Sequence, residues 1–330
     1  MDITLLVVLG IVVILVNIAG TAYFVAQEFA YMSVDRTRLA ARAAEAVAAV
    51  PRMIPDLAYL APDRAEKLDL YLPVAPARGK RSPAVVWIHG GGWTGGVKTE
   101  NRAKEICTTL AAAGYVAVSV DYRLGDGAWP TNLHDCKNAV RFLRANAAKY
   151  QLDPRRIAVA GGSAGGHLAL MVGFTSDQPE FEPTGVATPY PGVSSKVRAV
   201  IDLYGPANLL SRQEVDAQGA PTGKFRAVGP AAVYGTDDPA APVYVRASPV
   251  THVTKNSPPV LILHGQIDLT VDRAQSEELA GVLAKHGVPH EFVRVAGAGH
   301  TFDFETWNKK PLSRDLRPVA LAFLEKHLSP

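Results

Sequence analysis

Cysteine is scarce in this chain: two residues, Cys107 and Cys136, among 330. Nothing supports a disulfide, because both fall in segments with an amphipathic helical pattern, where a buried free thiol is the default. The nine histidines form no Cys/His cluster with the spacing of a zinc site. Charge of one sign is also missing. Lys plus Arg number 34 against 31 Asp plus Glu, a net charge of +3, which offers no basic surface for nucleic acid. At 48% hydrophobic and 20% charged, the chain is not of the disordered class. It has no internal repeat and no low-complexity tract apart from an alanine-rich stretch near residue 45. Its length suits one large α/β domain or two ordinary ones.

One long apolar run is present. Ile3–Ala26 is interrupted only by Thr4, Asn17, Thr21 and glycines, and is long enough to cross a bilayer as a helix. Asp2 precedes it with no Lys or Arg, which argues against a secretory signal peptide. Arg36, Arg38, Arg42 and Arg52 follow it, so the positive-inside bias puts the N-terminus outside and the rest of the chain in the cytoplasm. The alternative is a secreted or cell-surface protein whose first segment is a signal peptide. Residues 1–50 are therefore expected to form a transmembrane helix and a juxtamembrane helix, with a boundary at Pro51–Pro55 and a second domain over 51–330.

From Asp56 the pattern becomes strand-like. Leu57–Leu60 and the alternation of Leu68, Leu70 and Leu72 with Asp69 and Tyr71 predict antiparallel edge strands with one face exposed. The continuous apolar run Ala84–Ile88 predicts a strand buried on both faces; Val116–Val120, Val197–Leu203 and Val260–Leu263 read as further buried strands, with a strand at Ile157–Ala160 ahead of Ser163 and Phe292–Val295 as the last strand. Helical patterns alternate with them at Arg102–Ala113, Leu133–Tyr150, after Ser163, at Ala274–His286 and at Arg317–His327. The alternation implies a mainly parallel, doubly wound sheet. Two stretches rich in Pro, Gly and polar residues, 175–195 and 206–252, break it. Long irregular connections of this kind serve as lids or binding loops, and both follow strands that end beside Ser163.

Gly161-Gly162-Ser163-Ala164-Gly165 joins a strand directly to a helix. In G-x-S-x-G a sharp turn lifts the serine oxygen above the sheet, and glycines two residues away on either side let strand and helix approach. The helix N-terminus aims N–H groups at an anion forming there. A serine needs a base. His300, in Ala298-Gly299-His300-Thr301 after the last strand, is placed on a loop at the same sheet edge. The base needs a carboxylate to orient it. Asp268, just past Val260–Leu263, suits the chain order Ser, Asp, His. Its rivals are Asp272, which is expected to cap the helix near Arg273, and Asp303, which lies too close to His300 in sequence. His89-Gly90-Gly91-Gly92-Trp93 after the strand Ala84–Ile88 supplies unshielded amides. Gly91 and Gly92, with Ala164, are the candidate oxyanion donors. Trp93 and Tyr122 are candidates to line the substrate pocket. Arg123 and Asp135 read as structural, His89 and His264 as making backbone contacts, and His167 as a satisfied buried histidine.

These motifs, together with Asp121-Tyr122-Arg123-Leu124, Asp153-Pro154-Arg155-Arg156 and Leu68-Asp69-Leu70-Tyr71-Leu72-Pro73, resemble in order those of the hormone-sensitive-lipase-like and feruloyl or acetyl-xylan esterase-like α/β-hydrolases, from about residue 56 to the end. The resemblance implies the α/β-hydrolase fold, with helices on both faces of the sheet and a lid insertion. It also implies a cofactor-free, metal-free carboxylic-ester hydrolase with Ser163, Asp268 and His300 as its triad. It leaves the substrate open among short acyl, aryl, plant-wall and other esters. Phe24–Ala30 and Ser33–Leu39 resemble a different family, the first membrane helix of CorC-type ion transporters; a lone helix encloses no ion path, so transport does not follow. The expected activity is hydrolysis of short acyl or aryl esters through an acyl-enzyme. An amidase or peptidase of the same fold and an inactive membrane-anchored binding module are the alternatives. Oligomeric state is not legible.

Overall fold

The sheet is built from the expected strands in an order that the sequence does not state. The computed structural model describes residues 51–74, 81–182, 189–226, 231–238 and 240–330, all within one compact unit, Ala46–Pro330. The apolar run Ile3–Ala26 and the expected helices of residues 1–50 lie outside the described residues. Among the described residues no helix is long and apolar enough to cross a membrane.

In chain order the main elements are β1 (Arg52–Ala58), β2 (Lys67–Leu72), β3 (Ser82–Ile88), α1 (Asn101–Ala112), β4 (Val116–Val120), α2 (Thr131–Ala145), β5 (Leu152–Gly162), α3 (Ala164–Thr175) and β6 (Ala199–Leu203). A hairpin, β7 (Gln213–Val215) and β8 (Pro221–Phe225), follows, then β9 (Val260–Gly265), α4 (Ala274–Lys285), β10 (His290–Val295) and α5 (Arg317–Leu328). Eight strands form one sheet in the order β1-β2-β4-β3-β5-β6-β9-β10. The β1/β2 and β2/β4 pairs are antiparallel, and β4 through β10 run parallel.

Both faces are covered, as parallel strands require. Ala84, Val86 and Ile88 of β3 share a core with Leu133, Val140 and Leu143 of α2, Leu168 and Val172 of α3, and Leu279 and Leu283 of α4. The alternate residues Val85 and Trp87 are equally buried and point to the other face, where Ile106 and Leu110 of α1 and Phe323 and Leu324 of α5 are buried.

β2 corrects the expected edge strand: it lies between β1 and β4, and Asp69 and Tyr71 are buried. Asp69 tolerates burial because its Oδ1 accepts from Lys98 Nζ at 2.7 Å and from the Asp56 amide at 3.0 Å. α2 is shorter than its pattern, ending at Ala145, where the Asn146 side chain donates to the Phe142 carbonyl at 2.9 Å and competes with continuation of the helix. β5 is longer than the apolar run Ile157–Ala160, because Leu152–Arg156 extends it toward its N-terminus beside Ser82. Cys107 and Cys136 are free and buried.

Candidate active site

Ser163 occupies the turn between β5 and α3 with φ 57° and ψ −123°, in the region L-residues avoid. The two glycines of the motif make that turn sterically open. A Cβ on Gly161 would sit 2.2 Å from the Gly165 carbonyl oxygen, and one on Gly165 would sit 2.1 Å from the Ile88 carbonyl oxygen. The Ser163 amide donates to the Leu203 carbonyl at 2.9 Å, which ties the turn to β6.

The structure brings Ser163, His300 and Asp268 together from three loops at the C-terminal sheet edge. His300 Nδ1 lies 2.7 Å from Asp268 Oδ2, and His300 Nε2 lies 2.9 Å from Ser163 Oγ. A carboxylate only accepts, so Nδ1 carries the proton and Nε2 is free to accept from the serine hydroxyl. Asp268 Oδ1 accepts from the amides of Thr270 and Val271 at 2.8 and 2.9 Å. Burial alone would raise the Asp268 pKa. Hydrogen bonds from His264 and His300 outweigh it and hold the carboxyl well below the usual range.

The rival carboxylates are engaged elsewhere. Asp303 accepts from the Glu305 and Thr306 amides, closing its own turn. Asp272 is not the expected helix cap: Arg273 occupies that position, and Asp272 Oδ2 accepts from the Gln213 amide at 3.0 Å. The β7 hairpin packs against this aspartate, a contact that local pattern cannot signal.

After β3 the chain turns through Gly91 (φ 111°) and Gly92 (φ 63°). A Cβ on Gly91 would fall 2.1 Å from the Gly95 carbonyl oxygen. Among the described residues no backbone carbonyl accepts from the amides of Gly91, Gly92 or Ala164. Gly90–Gly92, Ser163, Ala164 and His300 line one cleft of about 400 Å³.

Of the two candidate pocket residues, Trp93 lines the cleft, while its Nε1 donates to His167 Nδ1 at 3.2 Å. Tyr122 does not line it: the ring is buried, stacks on His89 at 4.4 Å, and donates from its hydroxyl to the His89 carbonyl at 2.9 Å. It anchors the glycine loop from beneath. A tyrosine after a buried strand gives no sign of which side of that loop it will occupy.

Other polar groups are satisfied within the scaffold. Asp135 accepts from both terminal nitrogens of Arg64 and from the Arg123 amide. His264 Nε2 donates to the Val271 carbonyl at 3.0 Å, so its Nδ1 accepts from Ser276 Oγ at 2.7 Å. His167 Nε2 donates to the Ala247 carbonyl at 2.6 Å, and burial lowers its pKa to about 4. Tyr204, which the motifs did not point to, packs against the His300 ring at 4.7 Å and donates to the Phe302 carbonyl at 2.7 Å.

The two long irregular segments behave differently. Residues 206–252 contribute Pro206, Arg212 and Arg226 to the cleft wall. None of the described residues of 175–195 lines the cleft. That segment covers the charged side of α2, where Lys137 Nζ donates to the carbonyls of Thr175 and Phe181 and to Glu182. Burial lowers the Lys137 pKa to about 8. Among the described residues no group of three or more His, Cys, Asp or Glu is placed to hold a metal ion.

Comparison with known proteins agrees with this architecture. The chain is 33% identical over 250 residues to esterase LipC of Mycobacterium tuberculosis, covering 73% of this chain and 58% of that protein. It thus spans less than three fifths of the length of the curated relatives LipC, LipQ and LipM. A truncated carbohydrate esterase from gut microbiota superposes with a TM-score of 0.71 at 26% identity, over 85% of this chain and 98% of that one. Propionate-bound esterase 2 of Thermogutta terrifontis gives 0.62 at 28%, over 83% and 95%. The BD-FAE family model matches residues 68–283, which reach from β2 into α4 and include Gly91, Ser163 and Asp268; the chain belongs to the BD-FAE family, an α/β-hydrolase esterase family.

Proposed function

We propose that this protein is a serine carboxylic-ester hydrolase that acts through an acyl-enzyme on short acyl or aryl esters. The observation that carries the reading is the unbroken hydrogen-bonded line from Asp268 through His300 to Ser163, ending in a cleft beside three amides to which no carbonyl of the described residues is bonded. His300 Nε2 takes the Ser163 proton as the oxygen attacks the ester carbonyl. The tetrahedral oxyanion accepts from the amides of Gly91, Gly92 and Ala164, donors worth about 3–4 kcal/mol each in comparable sites. The imidazolium, balanced by Asp268, protonates the leaving alcohol. Water deprotonated by the same histidine then attacks the acyl-enzyme and releases the acid. The cleft volume, about 400 Å³, is near the lower end of small-molecule sites and supports short substrates.

The test is hydrolysis of 4-nitrophenyl acetate and butyrate. Ser163→Ala is expected to lower kcat/KM by at least about a thousandfold, and an unchanged rate in a folded variant overturns the assignment. Membrane attachment through residues 3–26, with this domain on the cytoplasmic side, is part of the same proposal. It rests on the apolar run and the arginines that follow it. Protease protection of residues 51–330 in sealed membrane vesicles tests it.

A further inference from the structure

Two guanidinium groups line the cleft. Arg212 lines it, is 6% exposed, and donates from Nη2 to the Thr270 carbonyl at 3.2 Å, while its buried Nε has no partner among the described residues. Arg226 lines the same cleft and donates from Nη1 to the carbonyls of Leu269 and Thr270 at 3.2 and 3.0 Å. The β7/β8 hairpin sets them side by side: the Arg226 amide donates to the Arg212 carbonyl at 2.9 Å. Among the described residues neither has a carboxylate oxygen within 4.0 Å, whereas Arg64, Arg141 and Arg317 each do. Burial, reinforced by the charge of Arg226, pushes the Arg212 pKa down against the opposing pull of the Asp272 and Asp268 carboxylates, which lie beyond ion-pair distance. A nearly buried cation beside a second one is unfavourable unless an anion completes the site. The third arginine of the cleft, Arg102, is already committed to the Tyr204 hydroxyl at 2.9 Å.

We infer that Arg212 and Arg226 form a carboxylate subsite, and that the preferred substrates are esters carrying a free carboxylate away from the scissile bond. The inference rests on the esterase reading and deepens it. The carboxylate is held and takes no part in bond breaking; water still divides the ester into acid and alcohol. A planar guanidinium presents paired N–H donors that match a carboxylate, and both side chains line the cleft that holds Ser163.

The experiment compares kcat/KM for charged and neutral members of two ester pairs. On the acyl side these are 4-nitrophenyl hemiadipate and its primary amide; on the alcohol side, 4-acetoxybenzoate and 4-acetoxybenzamide. The charged-to-neutral ratio is expected to exceed ten in one pair and to fall at least tenfold in Arg226→Gln and in Arg212→Gln. Arg226 is the more exposed of the two, so its variant keeps the test open if Arg212→Gln does not fold. A ratio at or below one in both pairs, or a ratio that neither substitution changes, overturns the subsite. If neither the charged nor the neutral esters turn over, the esterase reading fails separately. Calorimetric binding of the same four compounds to Ser163→Ala then decides the subsite: tighter binding of a charged member that is lost in Ser163→Ala/Arg226→Gln supports it, and equal binding refutes it.

Discussion

Replacing Asp268 by Asn is the sharpest probe of the proposed mechanism, because the surroundings determine how the amide must sit. Oδ1 accepts from two backbone amides, Thr270 and Val271, at 2.8 and 2.9 Å. Only the carbonyl oxygen of Asn can take that place, since an NH2 group there would face two donors. The NH2 group therefore replaces Oδ2, 2.7 Å from His300 Nδ1. As a donor it forces Nδ1 to accept, so the proton moves to Nε2, the nitrogen that must receive the Ser163 hydrogen. The base is present but in the wrong tautomer. Losses on the order of 10³–10⁴ in kcat follow from such inversion, about 4–5.5 kcal/mol. The two backbone bonds survive, so stability should change much less than activity. The assay is kcat for 4-nitrophenyl butyrate with urea unfolding of the same preparation. A well-folded Asp268→Asn that retains more than a tenth of wild-type kcat would refute the reasoning.

Two further substitutions test the scaffold around the cleft. Tyr122→Phe removes the donor to the buried His89 carbonyl while leaving the ring stacked on His89; unfolding free energy should fall by about 1–3 kcal/mol. Because the loop positions oxyanion donors, kcat should fall with KM little changed, and a rise in KM at constant kcat would mean that Tyr122 contacts substrate after all. Asp202 is fully buried, and among the described residues it accepts only from the Gly205 amide at 2.9 Å and leaves Oδ2 without a partner; burial pushes it from 3.8 up to about 7. Between those values the folded protein keeps a proton that the unfolded chain has lost, so stability declines as pH rises through this window, by up to about 1.4 kcal/mol per pH unit. Asp202→Asn should lack that decline in urea unfolding at pH 5 and pH 7, and parallel curves for the two proteins would dismiss the assignment.

What the sequence revealed of the site was whatever local chain geometry forces. Gly161, Ser163 and Gly165 declare themselves because a strand can turn into a helix at that angle only where Cβ atoms are missing, and Gly91 lies beside its own neighbour Gly95 for the same reason. Strand order, by contrast, is a long-range property. The Leu68–Leu72 alternation is correct for β2, but its burial depends on β1 and β4 flanking it. Lys137 and Arg141 are buried on α2 because Glu182, forty-odd residues later, pairs with both, a contact that the local pattern does not carry. Arg212 and Arg226 carry no local signal, because the β7/β8 hairpin brings them to the cleft wall and a pairing of that kind has no pattern along the chain.

The aspartates at this sheet edge show why a residue type never settles a role. Asp202, Asp268 and Asp272 are all buried, Asp202 near the end of β6 and the other two just past β9, and residue type does not tell them apart. Among the described residues Asp202 has one donor and Asp272 accepts from Gln213 with its other oxygen unpartnered; both are pushed toward the neutral form. Asp268 has two backbone amides and His300, with His264 Nε2 at 3.4 Å, and is held charged. A neutral acid could not orient an imidazole or balance an imidazolium, so the number of donors aimed at each carboxylate selects the one that can serve His300. Those donors come from the turn Asp268–Val271 and from β9, which lie on either side of the aspartate in the chain. The local turn fixes one carboxylate oxygen, whereas the histidines that hold the group charged come from β9 and, through His300, from across the sheet.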